Sequence, residues 1–210
     1  MSIVAVAGTG TDVGKTFVSA AVLRALRAHG SAVAARKPVQ SFAPDDRATD
    51  AHMLAEATGE TPYEVCPPHR WLKVPLAPPI AAEALGLAPF SITDLASEVL
   101  AHVPTATFTL VETAGGVRSP LADDGDCAAF IAALSPSLVV LVADAGLGTI
   151  NSVRMSIDAL RPHPVIVYLN RFTDTSDVHV GNAEWLRTRE GLDVVTDIEA
   201  LAKRVEPLAR

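Results

Sequence analysis

Cysteine is nearly missing from this sequence: Cys66 and Cys127 are the only two in 210 residues, they make no C-x-x-C word, and no histidines cluster at metal-ligand spacing. A disulfide framework and a thiolate zinc site are thereby excluded, and the two read as ordinary thiols in a reducing compartment. Positive charge is also short, with 17 Lys and Arg against 24 Asp and Glu for a net charge of -7. Nucleic acids and anionic membranes recruit proteins through a basic excess, so neither is an expected partner, and any bound anion needs a local site. No apolar run approaches the ~18 residues of a membrane span. The opening MSIVAVAG has no basic leader and too short an apolar run for a signal peptide. A cytoplasmic protein is expected. Internal repeats and flexible linkers are missing too.

What is present is a globular balance, 49% apolar and 20% charged residues, in a length that suits one domain over residues 1–210. Short aliphatic runs predict strands at Ile3 to Ala7, Ala32 to Ala35, Phe108 to Val111, Leu138 to Ala143 and Val165 to Leu169. Their Val, Ile and Leu content lacks polar alternation, as in a parallel sheet covered on both faces. Helical periodicity predicts Lys15 to His29, Arg47 to Thr58, Ser91 to His102, Ala128 to Leu134, Ile150 to Leu160 and Asn182 to Glu190. The pattern is α/β. The proline-dense stretch Pro62 to Pro79 reads as an irregular connection rather than a sheet strand, either a substrate-facing loop or a stiffened surface excursion.

The first strand runs into Gly8-Thr9-Gly10-Thr11-Asp12-Val13-Gly14-Lys15-Thr16 and then into a helix, the context of a phosphate-binding loop. Glycines let backbone N–H groups turn inward around phosphate oxygens, and the helix start adds its positive dipole end. Lys15 is placed to reach the β- and γ-phosphates, and the Thr16 hydroxyl to bind Mg²⁺. The loop is a variant, since Thr9 stands where GxxxxGK[ST] has its first glycine.

The words GTGTDVGKT, Lys37-Pro38-Val39-Gln40-Ser41, Val111-Glu112-Thr113-Ala114-Gly115-Gly116 and Leu147-Gly148-Thr149-Ile150-Asn151 occur in this order. Over about the first 170 residues the chain thereby resembles the dethiobiotin synthetases. The resemblance implies a doubly wound, mostly parallel sheet flanked by helices in the P-loop NTPase fold. It also implies a homodimer acting on 7,8-diaminopelargonate (7,8-diaminononanoate), CO₂ and MgATP. In that family a substrate amine takes up CO₂ as a carbamate, ATP phosphorylates the carbamate, and the second amine closes a ureido ring. Such chemistry asks mainly for positioning and charge neutralisation.

The same resemblance distributes roles by residue. Lys37, at the carboxyl edge of the sheet, is implied as the catalytic group touching carbamate and γ-phosphate; without its KPVQS context it would read as a solvated lysine. Implied ATP contacts are Asp12, Val13, Gly14, Lys15, Thr16, Phe17, Glu112 and the purine-reading Asn170. Implied Mg²⁺ ligands are Thr16, Asp50 and Glu112, with a helix cap as the plainer role of Asp50. Substrate contacts are Thr11, Lys37, Ser41 and Gly148, Thr149, Ile150 and Asn151, the last four crossing a dimer interface to the partner's substrate carboxylate. On their own, Thr11 and Ser41 would read as local backbone caps, and Gly148-Thr149 as a strand-to-helix turn. The stretch Pro75 to Pro79 resembles the family's apolar substrate loop.

Three departures stand out: Thr113 and Phe42 replace usual glycines, and the tail after Asn170 lacks a G-x-I-P turn beside the base. They leave open the nucleotide preference and a relative with a changed substrate. The rival from another class is a regulatory ATPase of the partitioning or cell-division type. Those carry a second lysine early in the loop, where Gly10 stands here, and some have a basic amphipathic C-terminal helix that this tail is read to lack. A cobyrinate-amidating synthetase would need a glutaminase domain, for which 210 residues leave no room.

Overall fold

The computed structural model describes residues 2–105 and 107–209; positions 1, 106 and 210 of the expected 1–210 domain lie outside the described residues. Six strands form one sheet: β1 (Ser2–Gly8), β2 (Val33–Arg36), β3 (Phe108–Glu112), β4 (Leu138–Asp144), β5 (Val165–Asn170) and β6 (Asp193–Val195), in the spatial order β6-β5-β4-β1-β3-β2. Every pairing in it is parallel. The five strands expected from aliphatic runs are all found, each within one or two residues. β6 went unforeseen, because its three residues are too few to show a pattern.

The main helices are α1 (Lys15–Ala28), α2 (Asp50–Thr58), α3 (Ile92–Ala101), α4 (Cys127–Leu134), α5 (Thr149–Leu160), α6 (Asp177–Thr188) and α7 (Ile198–Val205). Alternation along β1 divides the core between the two faces of the sheet. Val4 and Val6 pack with Val18, Val22 and Leu26 of α1, whereas Ala5 and Ala7 pack toward Val153 of α5 and Leu186 of α6. The helix at the end of the chain corrects the sequence reading, since Ile198–Val205 is amphipathic. Its apolar residues Leu201 and Val205 are buried in the same core cluster as α1, so that face is internal. No helix among the described residues is long and apolar enough to cross a membrane.

Two boundaries moved for local reasons. α2 starts at Asp50 rather than Arg47 because Thr49 is extended, with φ -101° and ψ 172°. α6 starts at Asp177, five residues before the expected Asn182, where the Ser176 side chain accepts from the His179 N–H as an N-cap.

The Pro62 to Pro79 stretch also departs from expectation. Trp71–Leu72 is a short strand pairing in parallel with Gln40–Ser41, made where the proline-free run from His69 to Val74 leaves backbone donors available. Trp71 meets Phe42 edge-on at 5.8 Å and stacks near His52 and Tyr63, so the segment after Lys37 is pinned from outside.

Candidate active site

The strand order places the carboxyl ends of β1, β2 and β3 side by side, the position where open α/β sheets bind ligands. The phosphate loop leaves β1 there, tied down by the Thr9 N–H donating to the Val142 carbonyl at 3.0 Å. Gly14 takes φ 96°, and a Cβ at this position would lie 2.0 Å from Asn170 Nδ2. Glycine is needed for both reasons.

Beneath the loop, side chains from four segments converge. Thr16 and Ser19 come from α1, Lys37 follows β2, Asp50 opens α2 and Glu112 ends β3. Lys37 Nζ lies 2.7 Å from Asp50 Oδ2 and 2.8 Å from Glu112 Oε1. Thr16 Oγ1 sits between the carboxylates, 2.9 Å from Asp50 Oδ1 and 2.8 Å from Glu112 Oε1. Ser19 Oγ donates to Glu112 Oε2 at 2.8 Å. Sequence reading missed Ser19. Its signal was a hydroxyl three residues after Thr16 on the buried face of α1, which turns it to the same side.

Lys37 is 2% exposed and Glu112 is fully buried, so the lysine is not the solvated strand-end residue its chain position alone suggests. Burial works to lower the Lys37 pKa, but the charges of Glu112 and Asp50 and its hydrogen bonds to them outweigh that, leaving it above the usual lysine range. Asp50 is held below the usual carboxylate range, chiefly by the Lys37 charge acting against burial. Lys15 is buried against the loop, its Nζ donating to the Gly10 carbonyl at 3.1 Å. Its pKa is pushed down, first by burial and then by Lys37. An anion seated in the loop would relieve both penalties.

Lys15, Thr16 and Lys37 open onto a cleft of about 930 Å³ that Thr11, Asp12 and Ser41 also line. Its far wall comes from the stretch after Trp71, Pro75 to Pro78, which supports the substrate-facing alternative for that segment. Phe17 stands at the rim, 58% exposed. The Ser41 hydroxyl is buried without a hydrogen-bond partner among the described residues, as is Gln40 Nε2 beside it. The Thr16 hydroxyl lies within hydrogen-bond distance of both the Asp50 and the Glu112 carboxylates, and the three present hard oxygen donors, the type that small divalent cations take.

Other expected residues lie elsewhere. Asn170 is buried, and its Nδ2 donates to the Val13 carbonyl at 2.9 Å, so its amide braces the phosphate loop. Its neighbour Arg171 does the same from the cleft, donating to the Asp12 carbonyl at 2.9 Å and pairing with Asp144 at 2.7 Å. Gly148, Thr149, Ile150 and Asn151 begin α5 and do not line this cleft. Asn151 instead borders a second hollow of about 790 Å³, shared with Thr9, Gly10 and Thr11.

Comparison with known proteins gives the family and the fold. The family model described as an AAA domain matches residues 3–207. An ATP-dependent dethiobiotin synthetase BioD of Corynebacterium efficiens is 40% identical over 161 residues, 77% of this chain and 70% of that one. One from an Anaeromyxobacter species is 35% identical over 207 residues, 95% and 92% of the two chains. This chain belongs to the ATP-dependent dethiobiotin synthetase family. By structure alone, the signal recognition particle receptor FtsY of Elizabethkingia anophelis superposes with a TM-score of 0.57 at 14% identity. It covers 100% of this chain, which spans 65% of that protein, and the likeness is one of fold.

Against the dethiobiotin synthetase pattern, the two glycine replacements behave differently. Thr113 is fully buried, and its Oγ1 donates to the Val6 carbonyl at 3.2 Å, so it faces β1 and leaves the cleft unchanged. Phe42 lines the cleft.

Proposed function

We propose that this member of the dethiobiotin synthetase family carboxylates and cyclises 7,8-diaminopelargonate with CO₂ and ATP to give dethiobiotin. The observation that carries the reading is the single cleft in which Lys15, at the phosphate loop, and the buried Lys37, bridged to Asp50 and Glu112, stand together. The rival regulatory ATPases carry their second lysine early in the phosphate loop, where Gly10 stands here; an ammonium placed after β2 instead suits an enzyme that transfers a phosphoryl group to a carboxylated amine.

One substrate amine attacks CO₂, forming a C–N bond and releasing a proton to give a carbamate. A carbamate oxygen then attacks the γ-phosphorus, the bond to ADP breaks, and a carbamic–phosphoric anhydride results. The second amine attacks its carbonyl carbon, phosphate leaves, and the ureido ring closes with loss of a proton. Lys15 and the loop N–H groups hold the β- and γ-phosphates, within reach of Asp12, Val13, Gly14 and Phe17. Lys37 offsets the charge on the carbamate and on the moving phosphoryl group. Thr11 and Ser41 orient the carbamate end, and the apolar wall at Pro75 to Pro78 accommodates the alkyl chain.

Thr16, Asp50 and Glu112 would hold Mg²⁺. The two lysines and two carboxylates balance each other, so a triphosphate needs a further cation, and Mg²⁺ when bound supplies that charge. The homodimer belongs to the same proposal. Leu147, 90% exposed just before α5, and Met155, 67% exposed in the middle of that helix, offer an apolar surface that suits a partner subunit whose substrate carboxylate meets Gly148 to Asn151. The whole chain then acts as a single cytoplasmic domain with small-molecule substrates.

Phe42 on the cleft wall supports a second reading, a family member with an altered diamine. Incubation with 7,8-diaminopelargonate, bicarbonate and MgATP, followed by mass analysis for the cyclic urea, tests the proposal. ATP consumption with no cyclic urea would refute it, and a urea formed only from another diamine would favour the second reading.

A further inference from the structure

Gln40 is 2% exposed, lines the cleft, and has a side chain satisfied on one end only. Its Oε1 accepts from the Ala51 N–H at 3.1 Å, in the first turn of α2. That bond settles which way the amide points, because a backbone N–H needs an acceptor and only the carbonyl oxygen is one. Nε2 therefore points away from the Ala51 N–H, with almost no accessible surface in the free protein and no acceptor among the described residues, so a ligand reaches it by a small shift of the cleft wall. The adjacent Ser41 hydroxyl is in the same condition. Buried amide N–H₂ groups are ordinarily paired, and an orphan at a cleft wall implies an acceptor that arrives with the ligand.

The type of acceptor follows from the chemistry of the cleft. Ammonium and protonated amine groups are donors and would not satisfy Nε2, while a carbamate brings two anionic oxygens to the end of the cleft that Ser41 and Lys37 also border. We infer that Gln40 binds the carbamate through Nε2 while its Oε1 holds the first turn of α2, and with it Asp50, in place. The inference rests on the proposed synthetase reading and adds a residue to it. Gln40 thereby ties formation of the carbamate to the position of the helix that carries Asp50.

The two ends of the side chain can be separated by substitution. Gln40→Glu keeps an acceptor for the Ala51 N–H and removes the donor. Gln40→Met, of similar length, removes both. Gln40→Met adds no charge, so nucleotide affinity and binding of the diamine without CO₂ should be kept, while single-turnover product formation falls about tenfold to a hundredfold, the usual effect of losing a hydrogen bond to a charged group, and the thermal midpoint falls with loss of the Ala51 bond. In Gln40→Glu turnover should fall at least as far, and the added buried carboxylate should also lower the thermal midpoint and nucleotide affinity.

A third measurement uses the unaltered protein. The side-chain amide NMR signal of Gln40, with a nonhydrolysable ATP analogue bound, should shift when diamine and bicarbonate are added together and not with diamine alone. Unaltered turnover in folded Gln40→Glu or Gln40→Met, or an unmoved Gln40 signal, would leave Gln40 a purely structural residue and overturn the inference. Wild-type protein that makes no cyclic urea would overturn the synthetase reading itself, and the inference with it, so the two failures are told apart by the wild-type control.

Discussion

Lys37 Nζ lies 2.8 Å from Glu112 Oε1, and neither side chain has appreciable contact with solvent. The pair joins the ends of β2 and β3, neighbouring strands whose register partners Arg36 and Val111 are 75 residues apart in the chain. A buried ion pair of this kind is weak evidence for net stability, because desolvation consumes much of the attraction, but removing one partner strands a charge. Its place at the cleft makes it a poised charge for chemistry.

Lys37→Met should accordingly do two things. With the developing charge no longer met by an ammonium, kcat for product formation should fall roughly a hundredfold to a thousandfold, equivalent to about 2.7 to 4 kcal/mol, while ATP affinity changes little. In the free protein Asp50 and Glu112 lose their counter-ion, so divalent cations should bind more tightly without nucleotide than they do to wild type. Single-turnover kinetics and cation titration of one preparation check both, and a normal rate would remove Lys37 from the chemistry.

Ser19 donates to the second oxygen of the same buried carboxylate. Ser19→Ala should destabilise the protein by about 1.5 to 3 kcal/mol, the range for a hydrogen bond to a charged group, read from urea denaturation. An unchanged midpoint would mean that Glu112 finds another donor.

The pH dependence of stability has a defined sign. The folded Asp50 pKa is depressed below its ordinary value of 3.8, so its contribution is fully present above that value and is lost as pH falls through the lower folded one. The Lys37 pKa is raised above 10.5, so its contribution is fully present below that value and is lost only as pH rises through the higher folded one. The stability difference between wild type and Asp50→Asn should therefore be flat from about pH 5 up to the lowered range in which Lys15, whose proton Asp50 helps to hold, begins to titrate, and should shrink on the acid side. A difference that changes across neutral pH would contradict the network.

Base selectivity should be loose. The Asn170 amide that the family resemblance assigns to the purine edge is bonded to the Val13 carbonyl, and the turn that borders the base in the family is missing. Turnover with other nucleoside triphosphates within a few-fold of that with ATP is expected, and strict ATP selectivity would show that nucleotide binding releases Asn170 from the loop.

At working concentration, sedimentation should give a two-fold dimer. Met155→Glu, placing a charge on the exposed face of α5, should favour monomer and lower turnover while leaving the thermal midpoint of the monomer nearly unchanged. A fully active monomer would refute the assigned role of Gly148 to Asn151.

Much of the frame was legible before folding was considered. Strands buried on both faces must be continuously apolar, so Ile3 to Ala7 or Leu138 to Ala143 announce themselves, and the glycine-rich word between β1 and α1 has one well-defined use. The short elements were not legible. Trp71–Leu72 exists because Gln40–Ser41 lies alongside it, and Asp193–Val195 because β5 offers an open edge; such strands draw their stability from partners, which local propensity does not record.

By itself the sequence determined the α/β frame, the phosphate loop with Lys15 and Thr16, and the family words that single out Lys37 and Glu112, with Asp50 added by the resemblance. Only the tertiary structure decided that Lys37 is sequestered between the Asp50 and Glu112 carboxylates, that Ser19 completes the shell of Glu112, that Thr113 turns away from the cleft while Phe42 faces it, and that Gln40 Nε2 has no acceptor among the described residues. Each of these depends on which strand ends are neighbours and which way a side chain points across them. Hydrophobic periodicity specifies the elements, but distances between polar atoms are set when the strand order β6-β5-β4-β1-β3-β2 closes and brings remote chain positions to one edge.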